Sequence, residues 1–403
     1  MTAVEAAIAH YDRLLDEHGE RCLELLAAAT ERHQMLGRDG RWWCVTLRPY
    51  IIAERDHGQL MRVTALVARG LHAAAERLAA DRALREQLSI PADLESLLAL
   101  DARHPHPSVF GRFDAMLDPQ GRAMFIEHNS EPQSLSRRDE VDRAFDRMPI
   151  ARAFARRFPY RTVPVLDHVL TAIHRDHRAR GGSGPPVIAV LKNGPRMAQA
   201  AYLRWVPHAA ARGCTVLLAG AEEFELRGGR LRVGRDVVDS VLFSDWLPVV
   251  EQAPETRPIF RAIADGIARP LFGLSRGLLY SYKSTFELLS DPRHAGLYPA
   301  EVAGALREHI PWTRVLRECR TTLPRGGDGD LVPFVAENRE QLVLKPSGGT
   351  EGRRIVLGWE VAQPEWEAAV RRCLRRQYVV QRRVAGERRA WPVVEDGAIA
   401  TRE

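Results

Sequence analysis

The sequence predicts a mixed α+β (α/β) protein with more than one domain, and three observations carry that reading. Near the start, Ala7, Ile8, Tyr11, Leu14 and Leu15 recur at helical spacing. In the middle, residues 109–129 form two apolar-containing runs split at Asp118-Pro119-Gln120-Gly121, the pattern of a β-hairpin. Beyond a Gly/Pro-rich stretch, residues 186–191, 197–212 and 215–219 read strand, helix, strand, which is one α/β unit. A chain of 403 residues with 45% hydrophobic content can bury a large core and divide into two or three domains.

The elements follow in chain order. Residues 2–38 and 60–100 read as helices, the second through Leu66, Val67, Leu71, Ala74 and Leu78. In the hairpin turn, Pro119 takes the second position and Gly121 the fourth, the residues such a turn prefers. RARGGSGPP at 178–186 reads as a linker. Residues 223–243 read as a short hairpin (FELRGGRLRV) followed by a strand (VVDSVLF). A helix over 299–309 is ended by Pro311-Trp312. The last third reads as a strand at 341–345, a Gly-rich loop, a strand at 354–357, a helix at 365–375 and a strand at 378–382.

Composition narrows the function classes. No run of about 18 apolar residues is present, so no membrane span is expected. The N-terminus lacks a basic segment followed by an apolar one, so no secretion signal is read. Cys22, Cys44, Cys214, Cys319 and Cys373 are scattered without a C-x-x-C pair, which suits a reducing cytoplasm rather than a zinc site or a disulfide framework. The net charge of +6 comes from arginines spread among acids, a solvated surface and not a nucleic-acid stripe. Of 58 basic residues only Lys192, Lys283 and Lys345 are lysines. A lysine kept in such a chain is a candidate for a site that needs a compact ammonium.

Three segments carry chemistry. The first is VLKPSGGTEG at 343–352, where a buried strand delivers Lys345 and glycines let backbone N–H groups approach phosphate oxygens. It is neither a Walker A loop nor a dinucleotide fingerprint, and its plain alternative is a Gly-rich hairpin. The second is the hairpin itself. Arg112 and Asp114 share one strand face, and Glu127 and Asn129 share another. Pairing Asp118 with Gly121 brings those faces together as an oxygen-rich set suited to Mg²⁺, whereas a one-residue slip moves Glu127 away. The third is Tyr282-Lys283-Ser284 at a helix start, a poor place for a cation unless an anion shares it. Two further patterns are weaker. Gly273-Leu274-Ser275-Arg276-Gly277, with Asp291 and His309 after it, matches a nucleophile elbow, but no series of parallel strands is read before it. His104-Pro105-His106 reads as a surface loop.

Taken together the segments resemble the circularly permuted ATP-grasp proteins (type 2), related to the synthetase domain of glutathionylspermidine synthase. The matching pieces are RFDAMLDPQGRAMFIEHNSEPQS, the α/β unit ending in FELRGGRLRVGRDVVDSV, LLYSYKSTFELLSD, EHIPWTRVL, LVLKPSGGTEGRRIVLGWE and QYVVQRRV. They run in order over 109–384, about two-thirds of the chain. The resemblance implies a mainly helical region at 1–100, the metal-ligand hairpin and core sheet at 101–183, a pre-ATP-grasp unit at 184–255 and a nucleotide-binding lobe at 256–403. It implies ATP and Mg²⁺, with Asp114, Glu127 and Asn129 as metal ligands and Arg112 facing the transferring phosphate. Lys283 and Lys345 would meet phosphates beneath a loop with Gly348, Gly349 and Gly352. Backbone near Gln381, Arg382 and Arg383 would form the adenine hinge, and Ser130, Gln133 and Ser134 would meet the acyl substrate. The implied activity joins a small-molecule or peptide carboxylate to an amine through an acyl phosphate, without nucleic-acid or membrane partners. The alternatives are a catalytically inactive nucleotide-binding scaffold and a serine hydrolase using Ser275. Relatives carry an arginine where this chain reads Leu242-Phe243-Ser244-Asp245, and longer relatives have a closing segment after the hinge.

Overall fold

Apolar stripes on long helices build the first layer. In the computed structural model the described residues are 2–32, 46–94, 97–100, 102–104, 106–130, 135–191, 205–243, 256–271, 276–348, 354–386, 388–395 and 397–402. The helix Ala3–Arg32 turns Ala7, Tyr11, Leu14, Leu15 and Cys22 onto Ile150 and Phe154 of the helix Pro149–Arg157. The helix Glu54–Ala80 buries Val67, Gly70, Leu71, Ala74, Ala75 and Leu78. At Gly70 an added Cβ would lie 2.9 Å from both Leu306 methyl groups, so only glycine lets the helix Ala300–His309 pack this close.

The middle of the chain makes a parallel sheet in the order Thr215–Ala219, Val187–Leu191, Ser240–Phe243, Arg269–Pro270. Val187–Leu191 and Ser240–Phe243 are buried on both faces, as parallel strands covered by helices are. One face packs Ile188, Val190 and Leu242 against Leu166, Leu170 and Ile173 of the helix Val165–Ala179. The other gives Ala189, Leu191, Val241 and Phe243 to the main core. The C-terminal third makes an antiparallel sheet in the order Thr313–Val315, Tyr378–Arg382, Leu342–Pro346, Val356–Leu357. The helix Gln363–Cys373 covers it, with Trp366 fully buried and its indole N–H donating to Val335 O at 2.8 Å.

Several expectations change. The helices Leu135–Asp146, Pro149–Arg157 and Val165–Ala179 fill a stretch that sequence reading leaves unassigned. The last runs to Ala179, so the linker shortens to 180–186. A series of parallel strands does precede residue 273, because the two-residue strand Arg269–Pro270 extends the sheet. His104 is not on a surface loop. It is 3% exposed, its Nε2 lies 3.2 Å from Ile263 O, and burial lowers its pKa to about 4. Beyond Arg383 a hairpin, Trp391–Glu395 with Ala398–Arg402, returns toward the N-terminal region. There Leu47 N–H donates to Pro392 O at 2.8 Å, and the Arg48 guanidinium stacks over Trp391 at 4.6 Å. No described helix is long and apolar enough to cross a membrane. Cys22, Cys214, Cys319 and Cys373 are free thiols.

Candidate functional site

The hairpin reaches its register in two steps. Asp118 N–H donates to Arg122 O at 2.9 Å, Gly121 N–H donates to Asp118 O at 2.8 Å, and Gly121 takes φ +75. This is a three-residue loop that needs a left-handed residue at its end, hence glycine. It pairs Leu117 with Ala123, one residue away from the Asp118/Gly121 pairing. Continued unbroken, that register would set Asp114 against Ile126 and turn Glu127 to the opposite face. A bulge at Ile126 reverses the slip, so Asp114 pairs with Glu127 and Arg112 with Asn129. The burial pattern confirms the break: Ala123 and Phe125 are buried, and then His128.

The core face of the hairpin is aromatic. His128 lies between Phe113 at 4.7 Å and Tyr280 at 5.6 Å, ring centre to ring centre. Burial, with Arg112 adding repulsion, lowers its pKa to about 3, so the ring is neutral.

The other face gathers the charges. Arg112 Nε donates to Asp114 Oδ1 at 2.8 Å. Lys283 Nζ lies 3.4 Å from Glu127 Oε1. The Lys283 backbone N–H donates to Ser347 O at 2.8 Å, which ties the Tyr282-Lys283 turn to the end of the Lys345 strand. Lys345 Nζ donates to Gln381 Oε1 at 2.7 Å. The Gln381 amide N–H₂ donates to Thr313 Oγ1 at 3.0 Å and reaches Ile126 O, the bulge carbonyl, at 3.5 Å. One buried glutamine thereby connects the C-terminal sheet to the hairpin. Burial lowers the Lys345 pKa to about 8, with Lys283 adding to the shift and Glu127 and Asp114 opposing it. Ser130 N–H donates to Ser281 Oγ at 2.9 Å and its hydroxyl meets the same oxygen at 2.6 Å, pinning the strand end to the helix Arg276–Ser281.

Asp114, Glu127, Asn129, Arg112, Lys283, Lys345 and Gln381 therefore share one site. Gly348 adjoins it, where an added Cβ would lie 3.2 Å from the Tyr282 ring. Arg382 and Arg383 follow Gln381, and their backbone N–H groups are committed to Trp312 O at 2.8 Å and Gln341 O at 2.7 Å. Gly349, Gly352, Gln133, Ser134 and Ser275 lie outside the described residues. A cavity of about 600 Å³ opens beside the end of the strand Tyr378–Arg382, lined among others by Met124, Ile310, Trp312, Arg382 and Arg383. The carboxylate–lysine cluster does not line it.

The donor set fits a hard cation. Among the described residues no three His, Cys, Asp or Glu side chains are gathered for a metal. Two carboxylates and one amide oxygen are what Mg²⁺ takes when water and phosphate complete its shell. Among the described residues the buried Asn129 amide nitrogen has no hydrogen-bond partner, so none of them holds that nitrogen against the amide turning its oxygen toward a cation. Of the residues named for the hydrolase pattern, Asp291 and His309 are described, and each has another partner. Asp291 is held by Arg293, with Nε at 3.0 Å from Oδ2, while His309 Nδ1 lies 2.8 Å from Ala123 O.

Sequence reading missed the Gln381 side chain, Thr313, Ser281 and the bulge. A glutamine inside the buried run YVVQR was the available signal for the first. No family model and no curated protein matches the sequence. Among solved structures, a glutathione synthetase-like effector from Globodera pallida, in its apo form, aligns with a TM-score of 0.53 and 12% identity. The alignment covers 92% of this chain and 83% of that one, so this chain has a mixed α/β fold similar to that of a glutathione synthetase-like protein.

Proposed function

We propose that the protein is an ATP-dependent carboxylate–amine ligase of circularly permuted ATP-grasp type, with residues 184–255 as the pre-grasp unit and 256–403 as the nucleotide lobe. One observation carries the reading. Segments far apart in sequence, around residues 114, 127, 283 and 345, converge on one charged site joined through Gln381. Asp114, Glu127 and Asn129 would hold Mg²⁺, which supplies charge neutralisation at the phosphate oxygens. Lys283 and Lys345 hold the nucleotide's phosphates, and Arg112 faces the one transferred. Gly348, with Gly349 and Gly352, lets backbone approach those phosphates. Ser130, with Gln133 and Ser134, meets the acyl substrate. The chain's work is positioning and charge balance around the phosphates. The substrate carboxylate attacks the γ-phosphorus as ADP leaves, and an amine then displaces phosphate from the acyl phosphate.

The test is release of ADP and phosphate in the presence of panels of carboxylates and amines. Wild-type protein turns over with at least one pair, and Lys345→Ala and Glu127→Ala abolish turnover while circular dichroism remains native. Full activity in either variant would remove the site. Nucleotide binding with no turnover for any pair would make the protein a non-catalytic binder.

A further inference from the structure

Each of the two carboxylates already has a cation. Arg112 is bonded to Asp114 at 2.8 Å, and Lys283 lies 3.4 Å from Glu127. The Lys283 residue is 6% exposed, so water screens its charge poorly. A divalent ion approaching Glu127 meets that ammonium at close range and is repelled. A triphosphate changes the balance, because its oxygens give the ammonium and the guanidinium another anion to face. The Lys283 backbone is fixed by its N–H bond to Ser347 O, so Nζ moves by side-chain rotation while the backbone stays in place.

We propose that Lys283 and Arg112 are resident counter-cations of the carboxylate pair, so that metal and polyphosphate are admitted together and neither is held well alone. The inference rests on the ligase reading above. On binding, each cation passes from a carboxylate to a phosphate oxygen, and the carboxylates pass to the metal. No bond is made or broken; ionic partners are exchanged. By linkage, metal and nucleotide raise each other's affinity by the same factor.

The test is Mn²⁺ binding, read from the electron paramagnetic resonance of the free ion, with and without a non-hydrolysable ATP analogue. Wild-type protein binds Mn²⁺ alone weakly. Lys283→Met tightens binding of Mn²⁺ alone by about tenfold and weakens binding of the analogue. Arg112→Gln, at a side chain 35% exposed, shifts Mn²⁺ binding in the same direction and serves if Lys283→Met does not fold. Unchanged or weaker Mn²⁺ binding in the folded variants overturns the inference, as does tight binding of Mn²⁺ alone by wild type. In either case the ligase reading stands if the wild type binds the Mn²⁺–analogue pair. If the wild type binds no analogue with or without Mn²⁺, the ligase reading fails and takes the inference with it.

Discussion

Asp114 keeps 41% of its side chain exposed and Glu127 keeps 22%, whereas the Lys283 side chain keeps 7% and Lys345 is equally buried. The acids sit on a hairpin face that water reaches. The ammonium groups sit beneath it, at the ends of buried segments. Removing an ion from water is costly in proportion to its burial, and the buried Lys345 ammonium carries a lowered pKa for that reason. The difference assigns tasks. Open carboxylates can exchange partners with hydrated ions, while buried ammonium groups exert strong fields on whatever anion they face.

The largest expected effect lies on the buried side. On the ligase reading, Lys345→Met should lower ATP turnover on the order of 10³-fold, because a buried charge facing phosphate is lost. Its thermal midpoint should stay close to wild type, since a buried charge goes with it. Steady-state assays and calorimetry check both halves. Gln381→Leu removes the acceptor of the Lys345 ammonium, and should destabilise the fold by about 1–3 kcal/mol and weaken the analogue by about tenfold. Chemical denaturation and titration calorimetry measure these.

The pH response is smaller and has a definite sign. The Lys345 pKa is lowered to about 8 in the folded protein from 10.5. Between those values the unfolded chain binds more protons at this group than the folded one, so its contribution makes stability rise with pH. Below about 8 the group is charged in both states and its burial cost is fully present. Analogue affinity should fall as pH rises through about 8, approaching tenfold per unit, and that step should vanish in Lys345→Met. The smallest effect on stability is expected at the open side. Asp114→Asn should change the folding free energy by no more than about 0.5 kcal/mol while metal-dependent turnover drops. If it unfolds the protein, the contrast between open acids and buried cations is wrong.

Much of this was legible before any coordinates. Asp118-Pro119-Gln120-Gly121 announced its turn, and the runs around 342–346 and 378–382 announced buried strands. The bulge was not legible, because an extra Ile126 between Phe125 and Glu127 looks like ordinary apolar filling. The helix Leu135–Asp146 was hidden by its charges, which leave the apolar period faint. Arg269–Pro270 is too short for a periodicity argument, and a proline speaks against a central strand, yet it lies at the edge of its sheet. The lysines were conspicuous through their scarcity. What holds Lys345 was not, because a glutamine bridging two sheets is a property of tertiary contact.

The C-terminal hairpin Trp391–Glu395 with Ala398–Arg402 has a mechanical consequence. Its first strand is stitched to Leu47 and to Arg48, whose guanidinium also grips Asp12 on the first helix. The polypeptide thus leaves the C-terminal sheet and is moored again beside the first helix. Few residues separate Arg383 from Ala390, so drawing the C-terminal sheet away from the first helix would strain that mooring.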